Sequence, residues 1–224
     1  MSQLPTATVI VTPEAGGGIP YFLLYAVVMA TLFGVGIPLL WMVIIRKRPL
    51  SDLGLTFRRW RSSIVLQLVL TGILLLTGPE LDWPPLANLV PLVSLVLAIG
   101  FFEAVFWRGW VLQRLEEAFG IIPAILLGSA LYAAYHIGYG MTMDEMVFLF
   151  FIGIMFAVVF RLTGSILILW PLFQPLGQLI TLTGEGLTLP LISTLGFIDV
   201  LVAMFILIWL VGRYRKRHTR KLAA

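Results

Sequence analysis

The run Leu92-Val-Ser-Leu-Val-Leu-Ala-Ile-Gly-Phe-Phe102 decides the fold class of this chain. With its flanks it forms an apolar stretch from Leu86 to Trp107, and a helix needs about 20 such residues to cross a bilayer. Glu103 interrupts this stretch, so the predicted transmembrane helix carries an ionisable group.

The whole chain has the same character. Of its 224 residues, 60% are hydrophobic and 12% are charged, whereas a typical soluble domain has roughly 25% charged residues. This composition excludes a soluble domain and indicates a polytopic membrane protein. The chain has no cysteine, which excludes disulfides, thiolate metal sites and cysteine nucleophiles.

Division at the charged and Pro/Gly-rich segments predicts an all-α bundle of about seven spans. The predicted spans are Tyr21–Ile45, Ser62–Thr77, Leu86–Trp107, Ile121–Gly138, Met146–Phe160, Ser165–Ile180 and Thr188–Val211. Residues 1–20 are predicted to be a flexible extracytoplasmic segment without a cleaved signal peptide. Residues 21–212 form the bundle and residues 213–224 a basic cytoplasmic tail.

The charges predict the orientation. All fifteen Lys and Arg residues fall on one side of the predicted spans. The charged residues of the opposite connections are all acidic: Glu14, Glu80, Asp82, Asp144, Glu145 and Glu185. The positive-inside rule then places the N-terminus outside and the C-terminus inside. The net charge of +4 therefore reflects topology and contact with anionic membrane lipid, not binding of nucleic acid. The pattern suits a prokaryotic plasma membrane.

Ionisable groups inside spans are candidates for function. Glu103 lies 17 residues before Gly120, the expected helix reversal, and His136 lies 16 residues after it. With 1.5 Å of rise per residue, two antiparallel helices bring both side chains to the same depth. A carboxylate and an imidazole can activate a water for attack on a peptide carbonyl. A buried ion pair that only locks two helices is the alternative.

The sixth predicted span adds two amides. Gln174 and Gln178 are four residues apart and share one helical face. Pro175 predicts an irregular backbone, which a membrane protein tolerates where other protein groups or a water-filled cavity supply hydrogen-bond partners. Their NH₂ groups can stabilise an oxyanion. Hydrogen bonding between helices is the alternative.

These residues resemble the CPBP family of intramembrane proteases, which is related to CAAX prenyl endopeptidases and to bacteriocin-processing or self-immunity proteins. The resemblance runs from about residue 86 to 180. Its parts are Glu103-Ala-Val-Phe-Trp-Arg108, Tyr132-Ala-Ala-Tyr-His136, the Thr163-Gly-Ser165 and Pro171 lead-in, and Gln174 with Gln178. Asp52-Leu-Gly-Leu55 is similar to the family's amino-terminal region.

The resemblance implies that Glu103 and His136 activate the hydrolytic water. Gln174 and Gln178 bind the oxyanion or substrate, and Arg108 and Tyr132 support the site. Two features depart from the family pattern: Ala104 replaces a second Glu, and the glutamines replace the third-motif His and its Asn or Asp.

Some descriptions of the family include a metal. Only one His remains among these motifs, and amide oxygens are weak zinc ligands. The sequence therefore favours a metal-free mechanism, with zinc implied only by analogy to the family.

The first hypothesis is an intramembrane endopeptidase that hydrolyses a membrane-associated peptide or a prenylated protein. The second is a catalytically impaired relative that acts as a membrane binding, scaffold or bacteriocin-immunity protein. A transporter is third, because it requires a polar path to both sides of the membrane, whereas the polar residues cluster in one zone.

Overall fold

The computed structural model describes residues 9–11, 25–78, 86–184, 187–189 and 195–222. Within these residues the chain forms seven helices, three short 3₁₀ turns and one pair of strands. The prediction of a helical fold is confirmed, and the strand pair is an addition to it.

The helices are labelled in chain order. Helix α1 (residues 25–45) joins the π-helical Tyr25–Gly36, the α-helical Ile37–Leu40 and the π-helical Trp41–Ile45. Helix α3 (residues 86–119) joins the α-helical Leu86–Glu103, the π-helical Ala104–Leu112 and the α-helical Gln113–Phe119. The others are α2 (Trp60–Thr77), α4 (Ile121–Tyr135), α5 (Met143–Thr163), α6 (Phe173–Gly184) and α7 (Leu195–Leu222).

The remaining elements are short. The 3₁₀ turns span Leu50–Leu53, His136–Tyr139 and Ile166–Ile168. Strand β1 (Val9–Val11) pairs with β2 (Leu187–Leu189) in antiparallel register, with Ile10 opposite Thr188.

Three helices of the described chain are long and apolar enough to cross a membrane: Trp60–Thr77, Leu92–Phe119 and Met143–Thr163. Two shorter segments, Ala30–Ile45 and Ile121–Tyr135, are also apolar. The most apolar part of α3 is 67% buried by protein, against 11% for α2 and 28% for α5. Helix α3 is therefore the centre of the bundle.

The predicted end of the third span at Trp107 is wrong, because α3 continues to Phe119. Arg108 and Arg114 lie within this helix and are 3% and 4% exposed. The sequence division treated these charges as a boundary with water, whereas neighbouring helices cover them. The predicted reversal at Gly120 is correct, and its φ of 86° is a conformation that favours glycine.

The sixth predicted span, Ser165–Ile180, is not one helix. A 3₁₀ turn covers Ile166–Ile168, and α6 begins only at Phe173. Pro175 falls in the first turn of α6, where the missing N–H removes no intrahelical hydrogen bond. The irregular backbone predicted around Pro175 therefore precedes it, and only the second half of the predicted span is α-helical.

The last predicted span, Thr188–Val211, is displaced along the sequence. Helix α7 starts at Leu195 and continues to Leu222, through most of the predicted basic tail, while Thr188 lies in β2. The second and fifth predicted spans agree with α2 and α5. The predicted outer acidic residues Glu14, Glu80, Asp82 and Glu185 lie outside the described residues.

Large aromatic side chains hold α3 in the centre. Phe106, Trp107 and Trp110 are fully buried. The Trp110 ring contacts Trp41 of α1 at 6.2 Å and Phe205 of α7 at 5.4 Å between centroids. In a membrane, helices associate through close packing of this kind, and these rings belong to the main apolar core.

The loop between α1 and α2 docks beside the lead-in to α6. The Ile166 amide donates to the Gly54 carbonyl at 3.0 Å, and the Ser165 hydroxyl donates to the Thr56 carbonyl at 2.7 Å. Leu53, fully buried, contacts the backbone of Gly109 in α3. The segment Asp52–Leu55 and the segment Thr163–Ser165, noted separately in the sequence, thus bind each other.

Candidate active site

The winding of α3 places two ionisable side chains together. Glu103 ends the α-helical part, and Arg108 follows within the π-helical part. Because π-helical hydrogen bonds link residues five apart, Arg108 lies one wide turn beyond Glu103, and the two groups interact electrostatically. The π-helical turn therefore brings Arg108 close to the Glu103 carboxylate, although the second Glu of the family pattern is replaced by Ala104.

Aromatic rings surround the Arg108 guanidinium. It lies 5.1 Å from the centre of the Tyr132 ring and 5.5 Å from that of Phe156. Guanidinium groups bind favourably to aromatic faces, and more so away from water. These contacts explain how α3 holds a cation that is only 3% exposed.

A close approach of α3 and α6 sets the depth of the two glutamines. A side-chain carbon at Gly100 would lie 2.8 Å from Pro175 Cγ, so only glycine permits this packing. The Trp170 indole N–H donates to the Leu97 carbonyl at 2.9 Å, just before α6 begins. Together these contacts bring Gln174 level with Glu103.

Both glutamines bind the same atom. Gln174 Nε2 donates to Glu103 Oε2 at 2.6 Å, and Gln178 Nε2 donates to it at 3.1 Å. Hydrogen bonds to a charged acceptor are stronger than neutral ones, so the pair orients the carboxylate. Both Oε1 atoms are buried and without a hydrogen-bond partner in the described residues. They are acceptors available to a bound water or a substrate N–H.

Tyr132 connects Glu103 to His136. Its side chain interacts with the Glu103 carboxylate, and its ring lies 5.0 Å from the His136 ring. His136 Nδ1 is 2.7 Å from the Tyr132 carbonyl oxygen. A carbonyl only accepts, so Nδ1 carries the proton and Nε2 of the neutral ring presents a lone pair.

The structure brings the six predicted site residues into one connected group. Glu103 interacts with Arg108, Tyr132, Gln174 and Gln178, and Tyr132 contacts His136. The glutamines do form the interhelical hydrogen bonds of the alternative interpretation, and they form them to the proposed base.

Sequence reasoning missed three contributors: Phe156, Trp107 and Gly100. Phe156 packs on Arg108, and Trp107 packs on the Tyr132 ring at 5.5 Å. Gly100, three residues before Glu103 inside a helix, was an available signal of close backbone approach. The aromatic residues had no distinguishing signal, because the chain has many in apolar runs.

The donor set does not fit zinc. No group of three His, Cys, Asp or Glu side chains lies together in the part of the chain that the structure describes. Around Glu103 the neighbours are two amide nitrogens, a phenol and a guanidinium. A nearby cation and donor groups disfavour a divalent metal, which prefers His, Cys and carboxylate ligands.

The long apolar helices and the buried polar group between them define an integral membrane protein. Residues 84–172 match the family model for Type II CAAX prenyl endopeptidases, Rce1-like. This match confirms the resemblance to the CPBP family, and it makes residues 84–172 similar to CAAX-type intramembrane proteases.

The match covers less than half of the chain. It contains Glu103, Arg108, Tyr132 and His136 and ends before Gln174 and Gln178. A search of curated proteins and a search of solved structures each returned no match.

Proposed function

We propose that this protein is an intramembrane endopeptidase that hydrolyses a peptide bond of a membrane-associated protein or peptide, prenylated substrates included. The observation that carries the proposal is the environment of Glu103. Its carboxylate is 7% exposed and accepts two amide hydrogen bonds on one oxygen. A buried and oriented carboxylate is the arrangement that general-base catalysis requires.

The reaction follows from these atoms. Glu103 accepts a proton from a water molecule while the water oxygen bonds to the peptide carbonyl carbon, whose π electrons move to the carbonyl oxygen. The tetrahedral intermediate then collapses, the C–N bond breaks, and Glu103 returns the proton to the leaving nitrogen. The products are a carboxylic acid and an amine, and transfer of the acid proton to the amine gives a carboxylate and an ammonium group.

The neighbouring groups orient the reactants. His136 Nε2 accepts the second O–H of the water, because Nδ1 is held by the Tyr132 carbonyl. The N–H of each glutamine that is not bound to Glu103 is available to the developing oxyanion. Arg108, fixed between aromatic rings, stabilises the ionised carboxylate without entering any of the four ion pairs found in the described residues.

The proposal extends to the setting of the enzyme. The distribution of Lys and Arg supports an outer N-terminus and an inner C-terminus for a chain of about seven spans. The prokaryotic plasma membrane is the proposed location. The mechanism is metal-free, in line with the donor set around Glu103.

The test is Glu103→Gln, which keeps size and removes the base. We expect cleavage of candidate membrane-associated peptides by the purified full chain in detergent to fall about 100- to 10,000-fold. Glu116→Gln is the matched control: Glu116 is on the same helix, paired with Arg161 at 3.0 Å and outside the site. It should retain nearly full activity.

Two results would contradict this mechanism. One is full activity of Glu103→Gln, and the other is an equal loss in Glu116→Gln. Absence of hydrolysis by the wild type, together with a full cellular phenotype of a folded Glu103→Ala/His136→Ala protein, would instead establish the non-catalytic binding, scaffold or immunity role.

A further inference from the structure

A second ionisable side chain is buried in α3, beyond the site described above. Arg114 is 4% exposed, and its Nη1 is 3.1 Å from the sulfur of Met42. Its Nε and Nη2 have no hydrogen-bond partner in the described residues. Nη2 lies 3.1 Å from Glu117 Oε1, close enough for an ion pair but without hydrogen-bond geometry.

Arg114 lines a cavity of about 110 Å³ between α1, α3 and α7. By this measure a single water needs about 10–15 Å³, so the space holds a group of several heavy atoms. One wall is apolar and consists of Trp41, Met204, Leu207, Ile208 and Val211. The cavity is thus shaped for an amphiphile.

The charged part of the lining is predominantly basic. Arg46, Arg114 and Arg215 line the cavity, with Glu117 as the only acidic residue among its described lining residues. The Glu117 carboxylate is shared, since Arg48 also lies 3.1 Å from its Oε1. Among the described residues, this shared carboxylate is the only one that forms an ion pair with Arg114, and a buried arginine with a shared partner is incompletely stabilised.

The position of the cavity favours a lipid as the source of an anionic ligand. Arg46 follows the last residue of α1, and Arg215, in the last third of α7, donates to the Glu117 and Ala118 carbonyls. Basic pockets between membrane helices at this boundary bind anionic lipid headgroups. Most of the apolar wall belongs to α7, so an acyl chain of the lipid would contact that helix.

We propose that this cavity binds the phosphate headgroup of an anionic phospholipid. Arg46, Arg114 and Arg215 surround the phosphate, and the first acyl carbons contact Met204, Leu207 and Ile208. The site is separate from Glu103 and does not depend on the proposed peptidase activity.

The experiment titrates full-length protein in a neutral detergent with phosphatidylglycerol and, in parallel, with phosphatidylcholine of the same acyl chains. Native mass spectrometry counts the bound lipids, and thermal unfolding reports stabilisation. We expect one tightly retained phosphatidylglycerol per chain. Arg46→Gln/Arg215→Gln should weaken its affinity about thirtyfold, the combined effect of two arginines.

The matched control is Arg61→Gln/Arg213→Gln. These arginines lie over tryptophan rings, at 5.5 Å from Trp60 and 4.9 Å from Trp209, and they do not line the cavity. The control should keep most of the affinity. An equal loss in both double variants, or equal retention of the two lipids by the wild type, overturns the site.

A third arm separates lipid from soluble phosphate. Inorganic phosphate alone should leave the unfolding temperature unchanged, because it makes no contact with the apolar wall. If phosphate stabilises the protein as much as phosphatidylglycerol does, the lipid assignment is wrong and the ligand is a soluble anion.

Discussion

Among the buried ionisable side chains of α3, the carboxylate of Glu103 and the guanidinium of Arg114 differ in their hydrogen-bond partners. Glu103 and Arg114 are eleven residues apart, about 16 Å along the helix axis. Glu103 accepts two hydrogen bonds from α6, whereas Arg114 keeps two nitrogens without a hydrogen bond in the described residues. The fold itself supplies the partners of the first group, and we infer that a molecule from the membrane supplies those of the second.

The largest expected effect comes from Gly109→Ala, between the two groups. The new methyl group would overlap the Leu53 carbonyl oxygen. Both contacting groups belong to the backbone, so neither can move away as a side chain could. Overpacking of this kind costs about 1–3 kcal/mol, and we expect the upper end. Thermal unfolding in detergent measures it.

Gly72→Ala is the control for that substitution. It lies in α2 with no atom within 4 Å of the new carbon, so the gain in helix propensity should stabilise the protein by up to about 1 kcal/mol. Equal unfolding temperatures for the two variants would show that the contact between Leu53 and α3 is not as close as described.

Removal of one amide at a time tests the carboxylate side of the comparison. Gln174→Leu removes one hydrogen-bond donor to Glu103. If the lost stabilisation of the carboxylate, about 1–3 kcal/mol, is also lost from the transition state, kcat/KM falls roughly tenfold to hundredfold. Gln178→Leu should have a smaller effect, because its bond is 3.1 Å rather than 2.6 Å.

The ranking of these two variants is the informative result. Gln113→Leu, on α3 and outside the group around Glu103, serves as the control and should retain wild-type activity. If Gln178→Leu were the more damaging substitution, the glutamines would act chiefly on substrate, not on Glu103.

The smallest effect is expected for Arg114→Met in lipid-free detergent. Methionine removes the guanidinium, and Glu117 keeps Arg48 as a partner. Replacement of an incompletely paired buried charge by an apolar side chain is often neutral or stabilising. The unfolding temperature should therefore stay the same or rise, while stabilisation by phosphatidylglycerol is lost. A large destabilisation without lipid would show that Arg114 is already satisfied by the fold.

Much of this arrangement was predictable from sequence. The apolar runs gave the helical membrane fold, and the positions of Glu103 and His136 about Gly120 gave a reversal that the structure contains. The four-residue spacing of Gln174 and Gln178 placed them on one face, and both reach Glu103. These predictions rest on helical geometry, which depends on residue spacing alone.

Other features were not predictable, for physical reasons. The π-helical winding that places Arg108 near Glu103 depends on packing around Ala104–Leu112 and leaves no regular pattern in the sequence. Arg114 was assigned to a connection between helices because a charge in an apolar run usually marks the water boundary. Only the packing of α1 and α7 against this part of α3 shows that the Arg114 side chain is buried within the protein.

The hydrogen bond from Ser165 to Thr56 spans 109 residues of sequence. A ribosome adds about 5–20 residues per second, so the α1–α2 loop exists for roughly 5 to 20 seconds before its partner is synthesised. This hydrogen bond cannot form during that interval. Completion of this face of the bundle therefore waits for synthesis of the segment before α6.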